Sequence, residues 1–372
     1  MMTAADRRRL RRARMAALGL SPALGSADAP VPAVTVARTL GALQAQDHAS
    51  GAWSLGVRSG LTAAQVEDAV RAREIVRTWP MRGTLHWVPA EDARWMCRLL
   101  AAPGGTALTT RYARLGLTPA DVDRAGRLFE EHLHEPMSRP ELIALLAAHG
   151  IDPAGQRAYH LVGHHCMTGL LCQGPLIGKQ PSFVLIDAWV PHSLTPSHDE
   201  ALATVAERYV RSHGPVTEKD LAGWIGKGLG LARQALALID ARLVREERGG
   251  VTWLTHVDAP TAPTGPDRPT CVHLLPQWDE FLLGYRSRDL TLPPEHRIAV
   301  VPGRNMVFKP TLVVDGEVAG IWRRELRGGR VLVQVTPFVR LTPKRSRDIE
   351  TAATAYGRFV DQPVEVVRGG EI

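Results

Sequence analysis

Residues 199–256 read DEALATVAERYVRSHGPVTEKDLAGWIGKGLGLARQALALIDARLVREERGGVTWLTH, and the order of patterns in this stretch decides the fold. Ala201 to Ser212 carries apolar residues at helical spacing, and His213-Gly214-Pro215-Val216-Thr217 breaks it. Thr217 followed three residues later by Asp220 is a helix-start signature, so a second helix follows with Leu221, Ala222 and Ile225 on its apolar face. Gly226-Lys227-Gly228-Leu229-Gly230 turns the chain into a third helix, Leu231 to Arg242. Leu243-Val244-Arg245 and Val251-Thr252-Trp253-Leu254 then read as short strands around Gly249-Gly250, a hairpin signal. Three helices followed by a two-stranded hairpin make a winged helix-turn-helix.

The same plan recurs upstream. In residues 121–187, Val122 to His134 is amphipathic, and Ser138-Arg139-Pro140-Glu141 starts a helix that Gly150 ends. Gln156 to Thr168 is the third helix, and strands at Leu170-Leu171-Cys172 and Ser182-Phe183-Val184-Leu185 flank Gly174 to Gly178 as a wing. Residues 33–90 supply a first copy, with helices Ala33 to Gln46 and Ala63 to Ala72 and a hairpin from Ile75 to Val88. Residues 257–269 (VDAPTAPTGPDRP) are a Pro-rich linker. Beyond it, Cys271 to Leu275, Ile298 to Val301, Thr311 to Val314, Glu317 to Trp322 and Val331 to Thr336 read as strands, and Pro343 to Val360 as a helix. The expected architecture is α+β: three tandem winged helix-turn-helix domains (1–120, 121–198, 199–258) and a small C-terminal β-rich domain (270–372). Such modules often touch DNA through the third helix, and they also serve as protein-interaction and spacer modules. Both readings stand at this point.

The 372 residues are 45% hydrophobic and 22% charged, which speaks against wholesale disorder. The net charge of +7 is unevenly spread. Residues 1–20 hold six Arg against one Asp, and residues 271–372 hold 15 basic against 12 acidic side chains. The intervening chain, with 24 basic and 25 acidic residues, is nearly neutral. A general polyanion-coating protein is disfavoured, whereas a localised basic groove is compatible. Four scattered Cys make no disulfide framework. No apolar run reaches the roughly 18–20 residues of a membrane span. The apolar stretch after the N-terminal arginines, Met15 to Leu20, is short for a signal core. A cytoplasmic protein is expected, without membrane partners.

Most constellations that suggest chemistry dissolve on inspection. His164-His165-Cys166 with Cys172, and His132 with His134, invite a zinc reading. Adjacent helical residues point apart, however, and no HExxH or paired CxxC accompanies them, so no metal and no cofactor are expected. There is no GxSxG and no Walker loop. The unusual stretch is Leu43-Gln44-Ala45-Gln46-Asp47-His48. In mid-helix, residues i and i+2 face about 200° apart, so the two carboxamides meet only where the helix ends or the chain opens. Nearby Ser50-Gly51 favours such an end. Two convergent carboxamides can orient a water molecule; on spacing alone the commoner reading is a pair of surface glutamines at a helix terminus.

Three further stretches combine Arg with aromatic residues. RTWPMRGTLHWV (77–88) is a hairpin that suits either a nucleic-acid backbone or a buried core. LLPQWDEFLLGYRSRD (274–289) and FKPTLVVDGEVAGIWRR (308–324) mix apolar anchors with charges, as a salt-bridged β-domain edge would. Taken together with LQAQD (43–47), these blocks resemble the AlkZ/YcaQ family of tandem winged-helix DNA glycosylases, over roughly residues 5–365. Gln at position 46, where YcaQ-like members carry an acid, resembles the AlkZ branch.

The resemblance implies a concave basic DNA channel and assigns catalysis to Gln44 and Gln46, with Asp47 as candidate support. It implies a monofunctional glycosylase acting on double-stranded DNA with N7-alkylguanine lesions. Bulky adducts or interstrand crosslinks from a DNA-alkylating natural product are included, in self-resistance or repair, and the protein is expected to be a monomer. Candidate DNA contacts are Arg77, Arg82, His86, Arg139, Gln156, Arg157, Arg286, Arg288 and Lys309. The competing expectation is a winged-helix DNA-binding protein or transcriptional regulator without catalysis.

Overall fold

The computed structural model describes residues 2–101, 106–262, 271–303 and 307–369. The chain forms two compact units, one of Met1–Val66 with Ala203–Ile372 and the other of Glu67–Leu202. The first expected domain, 1–120, is thus divided between them.

The chain begins with α1 (Ala4–Ala17), started by a reciprocal cap between Thr3 and Asp6 and burying Leu10, Met15, Ala16 and Ala17. Helix α2 (Ala33–Leu40) follows, then the two-residue strand β1 (Leu43–Gln44), α3 (His48–Ser59) and α4 (Ala63–Arg71). The helix expected to reach Gln46 therefore stops at Leu40, because Gly41 takes a φ of +80°. Ser50-Gly51, where a helix end was expected, lies instead within α3. Asp47 caps the start of this helix, and its small residues let it pack closely. A Cβ on Gly56 would stand 2.5 Å from the Phe359 ring, so only glycine fits there.

The second unit holds the hairpin β2 (Ile75–Met81) and β3 (Thr84–Pro89), then α5 (Ala93–Met96), α6 (Thr106–Arg114), α7 (Pro119–His132), β4 (Met137–Ser138), α8 (Arg139–Ala148) and α9 (Arg157–Met167). Strands β5 (Leu171–Ile177) and β6 (Gln180–Leu185) and the short α10 (Ile186–Trp189) complete it. Its strands lie in the order β3-β2-β5-β6-β4. Phe129, Leu142, Leu161 and Phe183 centre its core.

Next come α11 (His198–His213), α12 (Glu218–Ile225), α13 (Leu229–Leu238), β7 (Leu243–Arg248) and β8 (Val251–His256). Thr217 and Asp220 form the anticipated reciprocal cap, and Gly249 and Gly250 both take positive φ at the hairpin turn. Of the linker, residues 257–262 form a turn and loop, and the rest lies outside the described residues, as does the expected domain start at residue 270. The C-terminal part contains β9 (Val272–Leu275), α14 (Glu280–Leu283), α15 (Arg297–Val300), β10 (Thr311–Val314), β11 (Glu317–Arg327), β12 (Arg330–Pro337), α16 (Pro343–Phe359) and β13 (Val364–Arg368). The sheet order is β13-β12-β11-β10-β9, with only the β12–β13 pair parallel among the pairings described. The strand expected at Ile298 to Val301 is instead a helical turn. Pro293 and Pro294 start it, and Ile298 points to solvent at 80% exposure. Strand β13, which lies between Pro363 and Gly369, was not among the expected strands.

Three segments share one element order: helix, short strand or bridge, two helices, hairpin. They are α2 to β3, α7 to β6 and α11 to β8, where the Val216–Leu254 bridge stands for the strand in the last.

Candidate active site

Beyond Gly41 the chain forms the two-residue strand β1 and then bends at Gln46 and Asp47 into α3. Ala42, Leu43 and Ala45 are buried, Gln44 is half-buried and Gln46 is exposed. Successive side chains of extended backbone point to opposite sides. Burial alternates along the segment: Leu43 and Ala45 anchor it in the interior, and Gln44 and Gln46 are the more exposed positions. The angular separation a helix would impose does not arise.

Asp47 closes the segment. Its Oδ1 accepts the Ser50 N–H at 2.8 Å, and the Arg324 guanidinium lies 4.0 Å from the same oxygen. Such a cap is worth ~1 kcal/mol. The carboxamide oxygen of Gln44 is shielded from solvent and accepts no hydrogen bond from the described residues. An orphaned buried acceptor costs about 1–3 kcal/mol, and the few that survive in folded proteins call for an explanation.

The Gln44 backbone is held by a carboxylate remote in sequence. Glu280, fully buried at the start of α14, accepts the Gln44 N–H on Oε1 at 3.3 Å and the Trp224 indole N–H on Oε2 at 2.9 Å. His213 Nε2 lies 3.4 Å from the same Oε2. The neighbouring Asp279 is equally dry. Its Oδ1 accepts from Arg58 Nη2 and from the Phe281 N–H, and its Oδ2 accepts from Arg58 Nη1 and the Ser54 hydroxyl, at 2.6–2.9 Å. Arg58 lies on α3, the helix that begins immediately after the Gln segment.

Sequence reading assigned no role to Asp279, Glu280 or Arg58. The available signal was an acid pair between Trp278 and the apolar run Phe281-Leu282-Leu283, surroundings in which a carboxylate requires dedicated donors.

The basic candidates separate into two groups. In the first unit, the Arg286 side chain is exposed while its N–H donates to Asp220 at 2.8 Å. Lys309 is half-buried, with its N–H on the Val300 carbonyl. Arg288 donates Nε to the Leu282 carbonyl at 2.8 Å and lies 4.9 Å over the Phe308 ring. In the second unit, Arg139 is exposed over the Tyr159 ring, and exposed Gln156, in the left-handed region at φ +75°, accepts from Arg111. Arg82, at the hairpin turn, donates to His86 Nε2 at 3.0 Å, while His86 Nδ1 faces the Thr84 carbonyl at 2.8 Å. A carbonyl only accepts, so Nδ1 bears the proton and Nε2 the lone pair.

Arg77 is buried in register between Trp87 and Gln173. Arg157 donates to the Asp152 carbonyl at 2.9 Å and the Leu115 carbonyl and lies 3.8 Å from Asp121. Arg77 and His86 are buried, and Arg157 and Arg288 are half-buried with donors turned to backbone carbonyls. A cationic point the sequence did not single out is the β11–β12 turn at Gly328-Gly329, where Leu326 is 72% exposed among exposed Arg323, Arg327 and Arg330.

His165 is buried against the Val122 carbonyl at 3.0 Å, and burial pushes its pKa down to about 4. It belongs, with Cys166, to the second unit's interior. Among the described residues no group of three or more His, Cys, Asp or Glu is arranged to hold a metal. No described helix is long and apolar enough to cross a membrane.

Residues 37–359 match the family model described as DNA glycosylase AlkZ-like. A relative from Streptomyces sahachiroi, named an interstrand DNA cross-link repair glycosylase, is 27% identical over 324 residues, covering 81% of this chain and 84% of the relative. The solved structure of the Streptomyces sahachiroi DNA glycosylase AlkZ matches with a TM-score of 0.78 and 24% identity, over 99% of this chain and 100% of that one, a likeness of fold. With the family match spanning most of its length, the chain belongs to the AlkZ-like DNA glycosylases, hydrolases of N-glycosyl bonds in DNA.

Proposed function

We propose that this glycosylase excises N7-alkylguanine, including bulky adducts and interstrand crosslinks, by hydrolysis at a water held by Gln44 and Gln46. The observation that carries the reading is the non-helical Gln44-Ala45-Gln46 segment, in which the two glutamines alternate with buried Leu43 and Ala45 and the Gln44 oxygen accepts no hydrogen bond from the described residues. Alkylation at N7 makes the base cationic, so it leaves without a general acid. Cleavage then develops positive charge on the sugar, and the enzyme must supply a placed nucleophile and a tolerant electrostatic setting. Two neutral carboxamides place a water by hydrogen bonds and act as weak bases at most, which restricts the reaction to activated lesions. Asp47, whose Oδ1 is engaged as the cap of α3, serves to set the segment's geometry and adds negative charge near the developing cation. No lysine lies close to the segment along the chain, and the reaction is read as hydrolytic, without lyase cleavage.

The crosslink substrate is carried over from the name of the Streptomyces sahachiroi relative. We read the three segments of shared element order as winged helices, and Arg82, Arg139, Gln156, Arg286 and Lys309 as contacts to the DNA backbone. The test is incubation with DNA bearing a defined N7-methylguanine, a bulky N7 adduct or an N7–N7 crosslink, followed by detection of abasic sites. Wild type is expected to release N7-alkylguanine. Gln44→Ala and Gln46→Ala are each expected to be at least about tenfold slower, ~1.4 kcal/mol, with DNA binding retained. No release from any of the three substrates overturns the reading.

A further inference from the structure

We propose that Glu280 is a positioning residue for base excision: its buried carboxylate fixes the Gln44 backbone and thereby the direction of the Gln44 carboxamide. The inference rests on the catalytic reading of Gln44. Strand β1 is only two residues long, so few ladder bonds restrain it. The N–H that Glu280 accepts belongs to Gln44 itself, and holding that N–H fixes the Cα–Cβ direction from which the carboxamide projects. Groups of this kind, one bond removed from the reacting side chain, set its orientation by charge-assisted hydrogen bonds.

Glu280 is itself immobilised from three sides. Trp224 donates to Oε2 at 2.9 Å, His213 stands 3.4 Å from the same oxygen, and Asp279 caps the helix that Glu280 begins. His213 is in turn stacked on Tyr209, with ring centroids 4.6 Å apart and planes 21° from parallel, and its carbonyl accepts the Tyr285 hydroxyl at 2.9 Å. Proton accounting defines the pair further. The Ser212 hydroxyl donates its single proton to the Arg208 carbonyl at 2.6 Å, so the 2.8 Å contact with His213 Nδ1 is a donation from the ring. One carboxylate oxygen of Glu280 thus faces His213 and Trp224, and the other is turned to Gln44. Arg14, Arg58, Asp220, Tyr209 and Tyr285 are the other ionisable groups that interact electrostatically in this interior.

Glu280→Gln keeps the volume but cannot reproduce both sides. With its amide nitrogen toward His213 it opposes the Trp224 N–H, and with the nitrogen turned the other way it opposes the Gln44 N–H. The experiment is a double-mutant cycle in single-turnover excision at saturating protein, on N7-methylguanine DNA, with DNA affinity and thermal midpoint recorded for each variant. E280Q is expected to be at least tenfold slower with affinity within twofold of wild type. E280Q/Q44A is expected to be no more than twofold slower than Q44A, because Glu280 acts through Gln44. Losses that multiply, or a wild-type rate for E280Q, overturn the inference while leaving the role of Gln44 intact. A wild-type rate for Q44A overturns the catalytic reading and this inference with it. If E280Q fails to fold, Trp224→Phe, which removes one anchor of the carboxylate and keeps its charge, is expected to slow excision at least threefold with the same non-additivity. A wild-type rate there overturns the inference.

Discussion

Replacing Arg58 by Met should unfold the first unit well below the wild-type midpoint. Arg58 is fully buried and makes five donor contacts: Nε to the Leu18 carbonyl, Nη1 to the Ser54 carbonyl, the Ser54 hydroxyl and Asp279 Oδ2, and Nη2 to Asp279 Oδ1. Met retains the apolar stem and removes the charge. The Asp279 carboxylate, 5% exposed, then keeps only Ser54 and the Phe281 N–H as donors. Removing one member of a buried pair costs about 3–5 kcal/mol, since the remaining charge is left uncompensated. At roughly 2–4 °C per kcal/mol for units of this size, the midpoint should fall by roughly 6–20 °C.

Calorimetry and urea titration measure the loss. The decisive control is R58M/D279N, in which Asn still accepts the Phe281 N–H but carries no charge. If the orphaned charge is the cause, the double variant recovers at least half of the loss. A single variant within about 1 kcal/mol of wild type, or a double variant as unstable as the single, refutes the reasoning.

The remaining predictions concern the capped segment, the cations and one histidine. Asp47→Ala should lower stability by ~1 kcal/mol through loss of the α3 cap and slow excision, while Asp47→Asn, which still accepts from Ser50, should retain most of both; equal effects would separate Asp47 from the cap. Arg139→Gln and Arg286→Gln should weaken DNA binding and reduce its salt slope by about one unit for each phosphate no longer neutralised. Arg157→Gln and Arg288→Gln should instead lower the thermal midpoint and leave the slope unchanged, and titrations of affinity against salt distinguish the pairs. The second unit should lose stability as pH falls from about 6.5 towards 4. His165 is folded neutral with its pKa held down to about 4, so the unfolded chain takes up the proton first, a loss of roughly 3 kcal/mol by pH 4. In His165→Gln the corresponding slope should flatten, as urea titrations at several pH values would report.

How legible this molecule was in its sequence depended on whether the signals were local. Thr217 with Asp220, Ser138 with Glu141 and the Gly249-Gly250 turn are set by residues three apart or adjacent, and each was found where spacing placed it. Helix α3 was missed because its stability is tertiary: Ser50, Gly51, Ser54 and Gly56 are weak helix formers, tolerated because small residues let Phe359, Tyr356 and β9 approach closely. Ile298 to Val301 was misread because a β-branched run cannot by itself be told from a helical turn. The arginines illustrate a related point. Composition and motif can nominate Arg157 or Arg288, but only the fold shows which carbonyls consume their donors.

The candidate site occupies the junction between the first and second helices of its segment, and comparison with the other two segments explains its exposure. In the second, Met137–Ser138 leads into α8, and the Glu141 carboxylate takes both the Ser138 N–H and hydroxyl at 2.6 Å. In the third, Thr217 and Asp220 do the same for α12. There the strand-to-helix junction satisfies itself within four residues. In the first segment the cap has moved to Asp47, three residues past the strand's last residue, and no acid three residues on returns to close it. The Gln44 N–H is consequently taken by Glu280, 236 residues away. Restoring a local cap, by shortening the stretch between Gln44 and Asp47, would satisfy the backbone and remove the non-helical stretch that carries both glutamines. The long-range carboxylate is therefore the structural condition for a junction that stays open, and a local sequence motif could not have disclosed it.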